Sequence, residues 1–343
     1  MSDWVVSAEV APGAEWDAFA ERQPGFTHFH RAGWRDVVAD VWRHETLYLG
    51  ARDTDGALGG VLPLVRVRSA LFGHFLVSMP FVNYGGPLGE TAAVRALVAR
   101  ATRLADDRGA DLLELRSRVP LDLDLEVSHR KITVVLDIAG STPEQLFKRL
   151  DSKLRSQVRR PQKEGVVVRF GVDQVAPFHA VYAHHMRDLG TPAQPLRLFE
   201  RLAGAFGDDV WFGCAWLGDR PVAGGCGFRW GTEFEMTWAS SLREFNRISP
   251  NMGLYWSFIE RASAAGIGVF NFGRCTPDSG THKFKRQWGS RDEPLYWYDR
   301  SRSGAVVTPS ADDPRYAMGP RLWRHLPVGI ANRLGPPIVR LIP

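Results

Sequence analysis

Apolar positions recur along the chain either every three to four residues, as in helices, or every second residue, as in strands. Turns rich in glycine, proline and aspartate separate these segments. The first half is predicted to contain helix 31–43, strands 46–51, 58–68 and 75–82, helix 91–108, and strands 111–116 and 132–138. The pattern therefore predicts a mixed α/β unit.

The order of elements recurs after residue 141. The second half is predicted to contain helices 143–160, 175–188 and 195–205, strands 210–217, 222–230 and 233–240, helix 251–265, and strand 268–273. Its segment Val222–Gly225 resembles Ala57–Gly60 of the first half, and the glycine pairs in both indicate bulges or a close approach of backbones. We therefore expect a duplicated α/β fold, with domains at 1–140 and 141–300 and a further segment at 301–343.

The junction between the halves has the sequence of a helix start. Thr142 is a predicted N-cap, Pro143 occupies the first helical position and Gln145 completes a capping box. Beyond it, an apolar and a basic set of residues recur at helical spacing, and Pro161 should kink or end the helix. The apolar set is Phe147, Leu150, Leu154 and Val158, and the basic set is Lys148, Arg155, Arg159 and Lys163. We expect the apolar face to pack and the basic helix 148–163 to present its cations to phosphate.

Composition narrows the class of protein. The 343 residues are 44% hydrophobic and 24% charged, which is enough for two hydrophobic cores. No apolar run reaches the roughly 18 to 20 residues of a membrane-spanning helix, and the N-terminus lacks the pattern of a signal peptide. Because the three cysteines are irregularly spaced and the histidines are scattered, we expect no disulfide framework, no metal site and a cytoplasmic location.

Positive charge is concentrated near the C-terminus. The net charge is +5, and residues 300–343 contain seven arginines and two acids. From Pro320 onward, arginines are mixed with aromatic and aliphatic residues, and three prolines exclude one long helix. Two interpretations stay open. The segment either touches the inner face of the cytoplasmic membrane, or packs on the second domain through Leu322, Trp323 and Leu326.

The segment 270–289 carries the strongest chemical signal. An apolar strand ends at Gly273, a polar loop follows, and cations then alternate with aromatic residues, namely Lys283, Phe284, Lys285, Arg286 and Trp288. Loops at strand ends commonly form ligand sites in α/β folds. A lysine held beside an aromatic ring can neutralise a phosphate or the oxyanion of an acyl-transfer intermediate. The alternative is a solvated basic turn anchored by two core aromatics.

Several segments resemble the FemAB-like proteins associated with exosortase/PEP-CTERM loci, in that family's order and over nearly the whole chain. They are Leu71–Gly73 with Pro80–Pro87, Leu154–Arg160, His185–Pro192, and Asn271–Arg274 with Lys283–Gly289. The resemblance implies two GNAT-like (N-acyltransferase) domains on one chain. It also implies a transferase that moves an aminoacyl or acyl group onto an amine or hydroxyl of a cell-envelope precursor, such as peptidoglycan or exopolysaccharide.

The chain departs from that branch at three positions. Asn271 stands where Asp is usual, Cys275 where Ser is usual, and Val38 where a lysine is expected one turn after Trp34. The last difference argues against recognition of a nucleotide sugar by the first half.

The resemblance implies roles for individual residues. The Phe-Lys pair that stabilises the transition state in Fem enzymes matches Phe284 and Lys285, and an arginine that meets the acceptor's phosphate matches Arg187. Four further residues are expected to bind the acceptor substrate: Tyr84, Arg274, Lys283 and Trp288.

Two surfaces are candidates for the donor. Asn251 and Gly253 open the helix 251–265 after Arg247, and a helix N-terminus with nearby arginines binds anions, which suits an acyl-CoA. Arg155 and Arg159 suit an aminoacyl-tRNA. In either case the donor is a substrate, and no tightly bound cofactor is expected.

The acceptor amine must lose a proton when it attacks, and Asp188, Asp278 and His282 are the candidate bases by location, with substrate-assisted transfer as the alternative. Cys275 is expected to be a packed thiol.

Two other functions stay open beside the Fem-type transferase. They are an acyl-CoA-dependent N-acyltransferase for a small-molecule or saccharide amine, and a non-catalytic module that holds nucleic acid or anionic lipid on its basic patches.

Overall fold

The computed structural model describes residues 4–8, 12–302, 304 and 318–342. Up to residue 130 the helices and strands are β1 (Val5–Ala8), α1 (Ala14–Ala20), α2 (Gly33–Trp42), β2 (Glu45–Arg52), β3 (Leu58–Ser69), β4 (Gly73–Val77), β5 (Leu88–Gly89), α3 (Thr91–Asp107), β6 (Leu112–Ser117) and β7 (Glu126–Ser128). Short 3-10 turns add to these. The helices and strands predicted between 31 and 116 are confirmed to within a few residues.

The remaining elements are β8 (Ile132–Asp137), α4 (Pro143–Arg149), α5 (Ser152–Lys163), β9 (Val166–Phe170), α6 (Val175–Leu189), α7 (Leu196–Phe206), β10 (Val210–Leu217), β11 (Arg220–Trp230), β12 (Glu233–Ser241), α8 (Pro250–Ala264), β13 (Val269–Cys275), α9 (Gly280–Arg286), β14 (Arg291–Pro294), β15 (Tyr296–Ser301), α10 (Met318–Trp323) and α11 (Val328–Val339). Strands β9, β14 and β15 and helix α9 have no counterpart in the sequence prediction.

The chain divides into two units, each built on its own β-sheet. The first takes residues from 1–130, 294–310 and 340–343, and the second from 131–293 and 311–339. The first sheet has the order β1-β2-β3-β4-β6-β15-β7, with β5 beside β3, and the second has the order β14-β8-β13-β12-β11-β10-β9. The α/β fold with two GNAT-like sheets agrees with the fold class predicted from the sequence.

The strand assignment near the expected boundary at residue 140 differs from the prediction. Strand β8, expected in the first half, pairs antiparallel with β13 of the second sheet. In exchange, β15 pairs antiparallel with β6 of the first sheet. The hydrophobic pattern identifies a strand but does not say which sheet edge will accept its hydrogen bonds.

Two adjacent glycines of β11 show how helices cover both faces of the second sheet. A Cβ on Gly224 would lie 3.1 Å from the ring of Phe178 on α6, and one on Gly225 would lie 3.0 Å from the ring of Phe258 on α8. Because neighbouring residues of a strand point to opposite faces, α6 and α8 lie on opposite sides of the sheet. A Cβ on Gly224 would also lie 3.2 Å from Cα of Phe178, so the close backbone approach predicted for this glycine pair is confirmed at Gly224.

The helix predicted at 143–160 is interrupted. The capping box of Thr142 and Gln145 forms as predicted, but α4 ends at Arg149, and the Asp151 side chain accepts a hydrogen bond from the Leu154 amide to start α5. The apolar stripe nevertheless packs, since Leu150, Leu154 and Val158 are buried. Pro161 lies in the last turn of α5, which ends at Lys163.

The described part of the C-terminal segment forms α10 and α11, which pack against α6. Ala331 is buried, and a Cβ on Gly335 would lie 3.3 Å from the Ala193 backbone. Leu322, expected to be buried if the tail packs, is 66% exposed. Residues 305–317 of this segment lie outside the described residues. Within the described chain, none of the helices is both long and apolar enough to cross a membrane.

Candidate active site

Strands β12 and β13 diverge in the middle of the second sheet. Their parallel pairing runs from Glu233 and Val269 to Glu235 and Asn271. Beyond it, β12 stays paired with β11 as far as Ser241, with Thr237 as the extra residue of a bulge, while β13 stays paired with β8. The two neighbouring strands therefore open into a cleft.

A pocket of about 260 Å³ lies at this cleft. Its lining comes from the end of β12, the first turns of α8, helix α9 and the last turn of α6, and consists of Ala239, Ser240, Ser241, Asn251, Leu254, Tyr255, Gly280, Thr281, Phe284 and His185. The pocket thus combines an open strand end, the N-terminal turns of two helices, aromatic rings and an imidazole. Pockets of this kind, apolar with a few convergent polar groups, are typical of substrate sites.

Helix α8 brings its N-terminus to the pocket through Asn251. Pro250 occupies the first helical position, and in the described chain no side chain caps the first turn. The amides of this turn carry partial positive charge, which suits phosphate or carbonyl oxygen. Arg247 lies just before the helix and is exposed. Asn251 lines the pocket and Arg247 does not, and the donor contacts expected of both residues stay a prediction.

Gly253 has a packing role in α8. A Cβ at this position would lie 2.8 Å from Cγ of Pro161, so the glycine allows α8 to approach α5 closely. It is buried in this helix contact. The donor contact expected of Gly253 stays a prediction.

Lys285 holds the end of β13 in place beside the pocket through hydrogen bonds. Its Nζ donates hydrogen bonds to the carbonyl oxygens of Gly273, at 2.6 Å, and Arg274, at 2.9 Å. The residue is only 4% exposed, and burial lowers the pKa of its ammonium to about 8, although Cys275 and Glu235 favour the charged form. The transition-state role implied by the resemblance stays a prediction, because these contacts give Lys285 a structural role of its own.

Phe284 faces the pocket, whereas Trp288 belongs to the core. The Phe284 ring packs edge-on against Tyr255, with 5.0 Å between ring centroids. Trp288 is 2% exposed and packs with Phe272 and Tyr255. Trp288 therefore supports the pocket wall and leaves no surface for the acceptor contact expected of it. Cys275 is buried nearby, and burial raises the pKa of its thiol, as expected for a packed cysteine.

His185 lines the pocket, although the sequence predicted no catalytic role for it. Its Nδ1 lies 3.0 Å from the carbonyl oxygen of Ser241, the last residue of β12. Burial lowers the pKa of this imidazole below its ordinary value. Two adjacent histidines on a helix carry no signal for this placement, because the partner is 56 residues away. Among the described residues, none of the His, Cys, Asp and Glu side chains form a group of three or more suited to a metal ion.

The three bases expected from the sequence lie outside the pocket. Nε2 of His282 lies 3.0 Å from the Asp292 carboxylate, and its Nδ1 accepts a hydrogen bond from the Asp278 amide. Asp278 itself is exposed at the loop tip. The Asp188 carboxylate accepts a hydrogen bond from Nε of Arg187 at 2.8 Å, so the ion pair considered from the sequence is present. None of the three lines the pocket.

Arg187 also donates to the carbonyl oxygen of Leu326 at 2.8 Å, and so ties α6 to the C-terminal helices. Arg274 lies on β13 and supplies its carbonyl oxygen to Lys285, while Lys283 is exposed on α9. Tyr84 belongs to the first unit, where it is buried against Phe29. These four predicted acceptor contacts are therefore not brought together around the pocket.

Arg155 and Arg159 lie together in a second groove, of about 550 Å³, formed by α4, α5 and α8. The Arg159 guanidinium lies 4.8 Å from the centroid of the Phe147 ring. Arg155 donates to the carbonyl oxygens of Lys148 and Leu150. The predicted basic surface exists, but Glu144 and Glu260 in the same groove offset part of its positive charge.

Asn271 occupies a buried network beneath the cleft. Its Oδ1 accepts hydrogen bonds from Thr133 Oγ1 and the Gly273 amide, each at 2.7 Å. Its Nδ2 donates to Glu233 Oε1 at 2.7 Å. An aspartate here would lose that donor, which explains why an amide is needed beside Glu233 in this chain.

The comparisons with known proteins agree with this geometry. Residues 148–286, which contain the pocket, match a protein-family model described as an acetyltransferase (GNAT) domain. A search of curated proteins found no match. The solved structure of FemX is similar at 15% identity, covering 89% of this chain and 97% of that chain with a TM-score of 0.63.

Two lysylphosphatidylglycerol synthetase structures are similar as well. L-PGS from Bacillus licheniformis has 12% identity, covers 93% of this chain and 99% of that chain, and gives a TM-score of 0.57. The C-terminal domain of a putative lysylphosphatidylglycerol synthetase from Agrobacterium fabrum has 13% identity, covers 84% and 92%, and gives a TM-score of 0.54. The chain thus carries a GNAT-type acyltransferase fold, duplicated as in FemX.

Proposed function

We propose that this chain is an acyltransferase that forms an amide, moving an aminoacyl or acyl group from a phosphate-bearing carrier onto an amine of a cell-envelope precursor. The observation that carries the proposal is the pocket at the divergence of β12 and β13, within the part of the chain that matches a GNAT domain. A hydroxyl acceptor would require the same attack on the same carbonyl carbon. The FemX-like fold supports a cell-envelope acceptor, and the sequence resemblance adds the exosortase-associated branch.

Coenzyme A and tRNA are both phosphate-bearing carriers, and the chain has one surface suited to each. The α8 N-terminus with Asn251 and Arg247 would hold the pyrophosphate of an acyl-CoA. The groove with Arg155 and Arg159 would hold the backbone of an aminoacyl-tRNA. If acyl-CoA is the donor, a small-molecule or saccharide amine becomes the alternative acceptor.

The direct test is turnover with a panel of donors and acceptors. The full chain is incubated with charged tRNAs or acyl-CoAs together with envelope precursors, and products are identified by mass spectrometry. Ala239→Trp, which fills the pocket, should abolish product, while Ala205→Trp on the exposed surface of α7 should not. Absence of product with every pair, together with salt-sensitive binding to nucleic acid or anionic lipid, would favour the non-catalytic alternative.

We further propose that the chain works at the inner face of the cytoplasmic membrane. Ile330, Arg333 and Leu334 are exposed on α11, whose Ala331 and Gly335 are buried, and Leu322 is exposed beside Arg321. Exposed aliphatic side chains next to arginines suit an anionic lipid surface. A lipid-linked acceptor would then be delivered to the protein in the plane of the membrane.

A further inference from the structure

We propose that His185 is the general base that removes the proton from the acceptor amine in the pocket. The inference rests on the proposed acyl transfer and adds the residue that makes the amine nucleophilic. None of the bases expected from the sequence takes this place.

The hydrogen bond to Ser241 fixes which ring nitrogen is basic. A backbone carbonyl oxygen can only accept, so the His185 Nδ1 that lies 3.0 Å from it must carry the proton. In the neutral ring, Nε2 then keeps its lone pair. The carbonyl also fixes the orientation of the ring, as a base in an acyl-transfer site requires.

His185 lies at the cleft between β12 and β13. It is in the last turn of α6, and its hydrogen-bond partner is the final residue of β12, the strand that diverges from β13. It shares the pocket with Asn251 at the start of α8 and with Phe284 of α9. An acceptor amine in this pocket would meet the imidazole on one side and a carbonyl held near the α8 N-terminus on the other.

Burial keeps the His185 ring neutral near pH 7. Burial is the main cause that lowers the pKa of His185, and Arg243, before α8, acts in the same direction. His184 also lowers it, whereas Asp188 and the Ser241 carbonyl favour the protonated form. Because Asp188 is bound to Arg187, its effect is partly neutralised. A neutral imidazole is the form that can accept a proton.

Other histidines of the second unit are not placed for this task. His179 Nε2 lies 3.1 Å from the Gln194 carbonyl, and His282 uses both ring nitrogens within the α9 loop. His184 lies on the same helix as His185, 3.8 Å from the Asp188 carboxylate, and does not line the pocket. His184 therefore provides a matched control for His185.

The reaction step balances without a further reactant. The amine nitrogen forms a bond to the carbonyl carbon of the donor, and the C–O or C–S bond to the carrier breaks with its electron pair remaining on the carrier. The proton lost by the amine moves to His185 Nε2 and is then passed to the departing oxygen or sulfur. The products are the amide and the free carrier, with the imidazole neutral again.

The kinetic test compares His185→Gln with His184→Gln in the full chain, using whichever donor and acceptor give product with the wild type. Glutamine can still donate to the Ser241 carbonyl but cannot accept the proton at neutral pH. We expect His185→Gln to lower kcat by about 10² to 10⁴ with little change in KM, and to remove the wild-type limb that rises with an apparent pKa below 6.5. Added imidazole should partly restore turnover in His185→Ala. His184→Gln should behave as the wild type.

A retained kcat and pH limb in a folded His185→Gln variant would overturn the proposal. A second measurement does not depend on activity: nitrogen-15 NMR of the wild type should show His185 protonated at Nδ1 when neutral. Finding the proton on Nε2 would also overturn it. If the wild type forms no product while the NMR result is as expected, the acyl-transfer proposal fails instead, so the two failures are distinguishable.

Discussion

The ammonium of Lys285 lies 2.6 Å from the carbonyl oxygen of Gly273, in the stretch where the pairing of β13 with β8 changes register. Together with its bond to Arg274, this contact fixes the strand end that leads into the α9 loop. The lysine of the Phe-Lys pair thus donates hydrogen bonds to backbone groups of its own chain. The position of the nearby pocket depends on that anchoring.

The burial of Lys285 should make stability depend on pH. Its pKa is lowered to about 8 in the folded chain from an ordinary 10.5, so the unfolded chain binds more protons between these values. The free energy of unfolding should therefore rise with pH across this window, by up to about 3 kcal/mol from this group. Urea unfolding between pH 7.5 and 10.5 should show that the free energy of unfolding of the wild type rises with pH relative to that of Lys285→Met.

Lys285→Met should also lower turnover, because two carbonyl groups lose their donor and the loop shifts. The loss should be accompanied by a lower melting temperature. Turnover reduced by about 10² to 10³ at unchanged stability would instead indicate that the ammonium stabilises the oxyanion directly, as the Fem resemblance implies. Lys283→Met on the exposed side of α9 is the matched control.

Asn271→Asp should destabilise the second unit. The substitution replaces an amide that donates to Glu233 with a second buried carboxylate, so a cost of about 1 to 3 kcal/mol is expected at pH 7. A second substitution, Glu233→Gln, in the Asn271→Asp variant should recover the free energy of unfolding, because the glutamine amide can donate to the new aspartate. Asn246→Asp, at an exposed position, should change the free energy of unfolding little. Equal stability of both aspartate variants in thermal unfolding would contradict the network.

Charge reversal in the groove of α4, α5 and α8 should identify the carrier. If tRNA is bound there, Arg155→Glu with Arg159→Glu should weaken tRNA binding and reduce the slope of log K against log salt by about 2. Arg197→Glu with Arg201→Glu on α7, an equal change of charge, should have less effect. Filter binding over a range of salt concentrations gives both values. Unchanged binding would leave acyl-CoA at the α8 terminus as the favoured donor.

Serine substitutions on the C-terminal helices should reduce membrane binding. We expect the triple variant Leu322→Ser, Ile330→Ser and Leu334→Ser to lose at least tenfold in partitioning to anionic liposomes at low salt. A control with equally exposed residues elsewhere is Leu71→Ser, Val167→Ser and Val172→Ser. Flotation assays decide the question: a wild type that stays unbound, or two triple variants that bind equally, would refute membrane contact.

Local signals in the sequence were sufficient for the fold class and for most elements. The capping box at Thr142 and the alternation in β10 to β12 depend on neighbours along the chain, which the sequence displays directly. The interruption at Asp151 was missed because the apolar stripe continues across it and only the side-chain cap marks the break. The packing of Gly253 on Pro161 was not predicted, because a glycine near a helix start looks the same in the sequence whether a ligand or another helix faces it.

The sequence predicted the residues of the pocket less well than the helices and strands. Contacts between segments that are distant along the chain determine which residues line the pocket. Phe284 and Asn251 line the pocket, and the catalytic and donor-binding roles expected of them stay predictions. The place of His185 at the pocket was not predicted, because it depends on a contact between this α6 residue and the carbonyl oxygen of Ser241 on β12. Trp288 follows a run of cations, a pattern that is typical of a binding residue. Its spacing of four residues from Phe284 instead directs the Trp288 ring into the core.

The pairing of β15 with β6 and β7 means that the first sheet is not encoded by one continuous stretch of chain, whereas all strands of the second sheet lie within residues 132–294. During synthesis on a ribosome, residues 1–130 leave the exit tunnel long before β15, which must insert between β6 and β7. The nascent first sheet therefore has an unpaired edge at β6 until the second sheet has been synthesised. Any separation of the protein into halves by a single cut would leave one sheet without an interior strand.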